Sequence, residues 1–278
     1  MAALVETAPE GAPAAGLIEE IVRDHTGRER FAFEQVEFVP TALSKTEGKD
    51  RQLRWGLSAL KIERFRYSGA FPADGSAAGE LLADLFATAP TLAAAHGARA
   101  EAVTPGCVVA RRLAATLVSM EPFEALKQGP CTDGGYIKKC LDEEADGLLV
   151  QDELRRLCVN DDDEHACLVS EATRAEFLWH LFRLLVVGGS MSQPDEYATD
   201  YLEATRQLYK ELVSVYKSSK TGKITVGTHV HEVTGLGGEA MAATPIFPTE
   251  NPHNRCYVLI EPLRKTVTVV YLPFVSFW

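Results

Sequence analysis

Apolar residues recur at three- and four-residue spacing between Ser170 and Tyr216, which predicts two antiparallel helices. On the first, Phe177, Leu178, Leu181, Phe182, Leu184 and Leu185 share a face. Ser170 or Thr173 is placed to cap it, Thr173 and Glu176 have capping-box spacing, and Gly188 with Gly189 ends it. The second has Ser192 in N-cap position, Pro194 in its first turn, and Asp195 and Glu196 at the positive end of its dipole. Its apolar stripe runs through Tyr197, Tyr201, Thr205, Leu208, Tyr209, Leu212, Val213 and Tyr216. The short connection predicts an αα-hairpin at the centre of the fold. Tyrosine hydroxyls on a buried stripe need partners or an exit to water, so the stripe suits either a core or a protein-binding groove.

Elsewhere the period is two. Phe31 to Phe38, ending before Pro40, and Lys61 to Phe71 alternate as strands do. KITVGTHVHEV sets Ile224, Val226, Thr228 and Val230 on one face and His229, His231 and Val233 on the other. After a loop from Gly235 to Pro252, CYVLIE and TVTVVYL, joined by PLRK, predict a C-terminal β-hairpin. Further helices are expected over Lys45 to Leu60, with Leu53, Leu57 and Leu60 on one side and Trp55 off it, around Leu81 to Phe86, in EPFEALK, and in QDELRRLCV. A weak strand is expected within 99–109. Residues 1–16, rich in Ala, Pro, Glu and Gly, are expected to form a disordered tail. The remainder, 17–278, is expected to be one α+β domain, its central αα-hairpin packed on a mainly antiparallel sheet that includes the C-terminal β-hairpin.

A net charge of -11 speaks against nucleic-acid and anionic-membrane partners, which need clustered Lys and Arg. Glu6 and Glu10 stand where a signal peptide is positive and then apolar, and no apolar run is long enough to span a bilayer. The six cysteines form no CxxC pair, which fits reduced thiols in the cytoplasm.

Two stretches carry candidate chemistry. Asp142 to Glu153, DEEADGLLVQDE, approximates a calcium loop with acids at positions one, three, five and twelve and Gly147 at six, although Val150 at nine offers no ligand. His229 and His231 form an HxH pair that could give two imidazoles to one metal, as in oxygenase-like enzymes. His253 is a further candidate, and the carboxylate would have to be Glu232, which points to the opposite strand face, or Glu239. No phosphate loop, GxSxG or nucleophilic cysteine signature is present, and no cofactor is expected.

Several segments in order, IKKCLD (Ile137 to Asp142), DELRR (Asp152 to Arg156), EFLWHLFRLLVVGG (Glu176 to Gly189), YLEATRQLYKELVSV (Tyr201 to Val215) and EPLRKTVTVVY (Glu261 to Tyr271), resemble the cilia- and flagella-associated protein 300 family. Gln52 to Phe71 is also similar to the N-terminal part of that family. The resemblance implies a non-enzymatic role in cytoplasmic assembly, or delivery into the cilium, of outer and inner axonemal dynein arms. The implied partners are dynein axonemal assembly factors, the intraflagellar transport machinery and dynein arm subunits. For such contacts the candidate surface is Asp152, Glu153, Arg155 and Arg156, with Tyr197, Tyr201 and Tyr209: guanidinium forks for bidentate bonds and tyrosines for area at small entropic cost.

Overall fold

Seven antiparallel strands make the main sheet of the computed structural model, which describes residues 30–46, 49–72, 74–88, 107–191, 193–219, 222–238, 241–244 and 246–276. The strands are β1 (Phe33–Val36), β2 (Lys61–Tyr67) and β3 (Val108–Leu113). A separate hairpin of β4 (Lys139–Ala145) and β5 (Leu148–Asp152) intervenes. Then come β6 (His229–Gly238), β7 (Met241–Thr244), β8 (Arg255–Glu261) and β9 (Thr266–Leu272). Their order is β1-β2-β9-β8-β6-β7, with β3 on the other edge of β6. The longer helices are α1 (Ala78–Thr88), α2 (Glu153–Val159), α3 (Phe177–Val187) and α4 (Ala198–Leu212). The expected tail over 1–16, Ser192, most of the weak strand within 99–109, and Trp278 lie outside the described residues.

The runs Cys256–Ile260 of β8 and Val269–Leu272 of β9 are apolar on successive residues because both faces of the sheet are covered. Tyr257, Leu259, Val270 and Leu272 face the layer of α2, α3 and α4. Cys256, Val258, Ile260, Val267, Val269 and Tyr271 face α1, whose Leu81, Leu82, Leu85 and Phe86 close the second core. Pairing of Val258 with Val269 and Tyr257 with Val270 holds that alternation, since a slip of one residue would turn every side chain to the wrong core. The fold is α+β as expected, with the helix pair against an antiparallel sheet and the C-terminal hairpin inside it.

Several local expectations are corrected. Lys45 to Leu60 is not a helix: Lys45–Thr46 pairs with Lys49–Asp50, and a single turn, Arg51–Arg54, follows. Trp55, expected off the apolar side, is 1% exposed, whereas Leu53 is 67% exposed. The cause is tertiary. The Trp55 indole stacks on Tyr201 with centroids 4.8 Å apart and its N–H donates to the Asp195 carboxylate. That same carboxylate pairs with Arg54, so Asp195 serves the Trp55 segment rather than a helix terminus. Helix α4 starts at Ala198, and Pro194, Asp195 and Glu196 lie in the connection before it.

No capping box forms either. Ser170 caps a separate turn, Glu171–Arg174, by accepting from the Thr173 N–H at 3.2 Å. The Glu176 carboxylate turns away and accepts from the Thr116 N–H at 2.8 Å, fastening the loop after β3 to the start of α3. Gly188 ends α3 with φ 57°, as glycine can. The segment after Gly235 is less irregular than expected, since β6 runs on to Gly238 and pairs with β7. Tyr216, expected on the α4 stripe, lies instead in Val215–Lys217, which pairs with Ile224–Val226.

Candidate functional site

The DELRR stretch is a structural joint. Asp152 is buried and caps α2, its Oδ1 accepting the Arg155 N–H at 2.7 Å. Burial pushes its carboxyl up despite that bond. Arg155, expected on an exposed patch, is 0% exposed. Its guanidinium donates to the carbonyls of Leu149 at 2.6 Å, Gly189 at 2.6 Å and Val187, so it ties β5 to the open end of α3. Burial lowers its pKa to about 10. The Val187 carbonyl is an orphan acceptor that a helix terminus leaves, Leu149 and Gly189 flank it from β5 and the chain after α3, and one fork of N–H donors meets all three. Arg156 reaches outward but is engaged, pairing with Glu153 at 2.8 Å, Asp163 at 3.0 Å and Glu164 at 3.1 Å. Asp163 and Glu164 belong to the acidic run 161–164 that follows the helix, and the arginine fastens that run to α2.

Two of the three candidate tyrosines are core as well. Tyr201 is 0% exposed, lies under Trp55, and donates its hydroxyl to Gln193 Oε1 at 3.2 Å. Tyr209 donates to the Leu117 carbonyl at 3.0 Å. Neither presents area to a partner, because each hydroxyl finds its acceptor inside, as a buried phenol requires.

Tyr197 is different. It is 39% exposed and stacks against Tyr136, itself 48% exposed, with centroids 4.3 Å apart and an interplanar angle of 37°. The Tyr197 hydroxyl donates to that of Tyr136. The pair stands on stiff backbone. Thr132–Asp133 and Tyr136–Ile137 form a small hairpin that turns through Gly134 and Gly135, both at positive φ. The Ile137 N–H donates to the Glu196 carbonyl at 2.7 Å and the Ala198 N–H to that of Gly135 at 3.3 Å, locking the hairpin to the start of α4. Around the rings the charge is negative. Asp133 lies opposite Tyr136 in register, and the bond that Tyr197 donates to Tyr136, then burial, then the charges of Glu196 and Asp200 hold the Tyr197 phenol above its usual pKa. Two preorganised aromatic rings in an acidic rim form a surface that loses little entropy on binding. Sequence reading singled out Tyr197 but missed Tyr136, which belongs to no periodic run; the two glycines before it were the only local signal of a tight hairpin.

The candidate metal residues do not assemble. Asp142 to Glu153 is not a calcium loop but the β4–β5 hairpin, with Asp146 at φ 53° and Gly147 at φ 80° in its two-residue turn. The strand lays Asp142 and Glu144 out along an extended backbone and Glu153 has passed into α2, so these acids do not curl round one ion as a calcium loop requires. Asp142 accepts instead from Gln151 at 2.9 Å. His229 and His231 share the face toward α1, as the alternation predicted. The His229 Nδ1, however, is 2.9 Å from the Arg112 guanidinium, a cation where a metal would need none. Glu232 lies on the other face, paired with Arg111 at 2.5 Å. His253 Nε2 is taken up 3.0 Å from the Ala145 carbonyl. Among the described residues no three His, Cys, Asp or Glu side chains gather as a metal site.

The family model for cilia- and flagella-associated protein 300 matches residues 30–272. The chain is similar to the Chlamydomonas reinhardtii protein of that name, 32% identical over 260 residues, covering 87% of this chain and 99% of that one. It is also similar to the Paramecium tetraurelia protein of the same name, 26% identical over 227 residues, 81% of this chain and 86% of that one. No solved structure matches the chain.

Proposed function

The chain belongs to the cilia- and flagella-associated protein 300 family, and from that premise we propose that it is a non-enzymatic adaptor for axonemal dynein arms. It acts in the cytoplasm, in the assembly of outer and inner arms or their intraflagellar delivery to the cilium, by holding dynein assembly factors, transport components or arm subunits. The observation that carries this reading is the Tyr136–Tyr197 pair: paired aromatic area left in solvent on a locked hairpin, while the neighbouring polar residues are consumed by the fold. Its acidic rim of Asp133, Glu196 and Asp200 selects a partner segment bearing Arg or Lys, whose cations can lie over the tyrosine faces.

Affinity capture from ciliated cells with the wild-type chain and the double variant Tyr136→Ala, Tyr197→Ala tests the proposal. Loss of dynein assembly factors and transport components from the variant, with its unfolding midpoint unchanged, is the expected result. Equal capture by both chains removes this surface from the account.

A further inference from the structure

The chain has eight tyrosines, and five of them, Tyr67, Tyr201, Tyr209, Tyr257 and Tyr271, are buried. Tyr136, Tyr197 and Tyr216 reach solvent. Tyr216 lies in the Val215–Lys217 strand with no ring stacked on it among the described residues. The other two form a pair, and their chemistry depends on how they meet.

Tyr136 and Tyr197 are antiparallel bridge partners, directly opposite each other, so both side chains leave the backbone on the same side. The ring centroids are 4.3 Å apart, the planes are tilted by 37°, and the Tyr197 hydroxyl donates to that of Tyr136. Hydroxyls in hydrogen-bond contact at one end of so close a pair bring together the ring carbons beside them. Those ortho carbons are where a phenoxyl radical carries much of its unpaired spin. The backbone bonds from Ile137 to Glu196 and from Ala198 to Gly135 hold the two rings in this arrangement.

We propose that Tyr136 and Tyr197 are a site of oxidative coupling, joined within one chain as a dityrosine bridge by hydrogen peroxide and a haem peroxidase. Each phenol gives up one electron and its hydroxyl proton, and the peroxide takes the two electrons and two protons and becomes two water molecules. The two phenoxyl radicals form one carbon–carbon bond between ortho positions, and the hydrogens on those carbons move to the oxygens as the rings regain aromaticity. The chain is left two hydrogens lighter. Reactants already held in contact need not meet by diffusion, so coupling inside a chain outruns coupling between chains. The bridge ties the hairpin of Thr132–Asp133 and Tyr136–Ile137 covalently to the start of α4. Coupling needs only the free chain and the geometry of the pair, so it goes beyond the adaptor reading, and its failure is separate from a failure of capture in cells.

Treatment of the purified full chain with hydrogen peroxide and a haem peroxidase at neutral pH is the test. Dityrosine fluorescence should appear while the chain stays monomeric on a reducing denaturing gel, which sets aside disulfides through the exposed Cys167. Peptide mapping of the wild-type chain should find the segment holding Tyr136 joined to the one holding Tyr197, with two hydrogens lost, and the yield per chain should not change on dilution. Tyr136→Phe and Tyr197→Phe, which keep the ring and remove the hydroxyl, should each abolish that link, and Tyr216→Phe should leave it in place. No dityrosine, bridges that run only between chains or through Tyr216, a yield that falls in proportion to dilution, or a signal that both Phe variants retain would each overturn the proposal.

Discussion

Gly56 and Gly189 meet backbone to backbone: a Cβ on Gly56 would lie 2.8 Å from the Gly189 Cα, and one on Gly189 would lie 2.7 Å from the Gly56 carbonyl oxygen. The Gly189 N–H donates to the Trp55 carbonyl at 2.9 Å in the same crossing. The segment that carries Trp55 is thereby pinned to the end of α3, with the indole pressed on Tyr201. Alanine at either position must push two backbones apart, and at Gly56 it must also hold φ 69°. Gly56→Ala and Gly189→Ala should each lower stability by about 2 kcal/mol or more in urea unfolding. The double variant should cost less than the two singles together, because one displacement relieves both clashes.

Arg155 gives a second prediction. Arg155→Ala leaves the carbonyls of Leu149, Val187 and Gly189 buried without a donor and should cost about 3 kcal/mol or more. Arg155→Lys should recover only part of this, since an ammonium cannot span acceptors that a planar fork reaches. The urea midpoint reads both. An arginine that worked at the surface would show neither loss.

Acid should weaken the fold through two histidines. Burial, followed by Arg255, Arg111 and Arg183 against the opposing charge of Glu232, lowers His180 to about 4; burial, followed by Arg112 and His229, lowers His231 to about 4. The unfolded chain takes up these protons near pH 6.5 and the folded chain only near pH 4. Their contribution is complete above about pH 6.5 and is lost as pH falls from there to about 4. Urea midpoints across this window should fall toward acid. His180→Gln and His231→Gln should each flatten the slope, and an unchanged slope in both would remove the assignment.

The hairpin turn makes a fourth prediction. Because Asp142 to Glu153 is an extended hairpin running into α2 and not a curled loop, millimolar calcium should leave the melting temperature where magnesium leaves it. A rise specific to calcium would mean a ligand bound to the folded state alone.

What could be read in the sequence was whatever repeats locally. The α3 stripe, the Leu81 to Phe86 helix and the CYVLIE and TVTVVYL strands announce themselves because burial on a regular element leaves a period. Asp146-Gly147 was also legible as a two-residue turn, but the spacing of acids around it imitates a calcium loop. The rest depends on residues far apart in the chain. Trp55 is buried because Tyr201 and Asp195 receive it, and Arg155 is buried because carbonyls more than thirty residues later need donors. Of the candidate surface, the structure leaves Tyr197 presented to solvent, and the Tyr136 beside it becomes visible only once Ile137 is seen bonded to Glu196.

Replacing Tyr136 or Tyr197 in ciliated cells with a photo-crosslinking phenylalanine analogue tests the adaptor reading at its own contact, with Leu263, 75% exposed in the β8–β9 turn, as the comparison position. The account predicts crosslinks to a dynein assembly factor, transport component or arm subunit from 136 and 197 and none from 263. Crosslinks from 263 but not from the tyrosine positions, or assembled dynein arms in cells whose only copy is Tyr136→Ala, Tyr197→Ala, would contradict it.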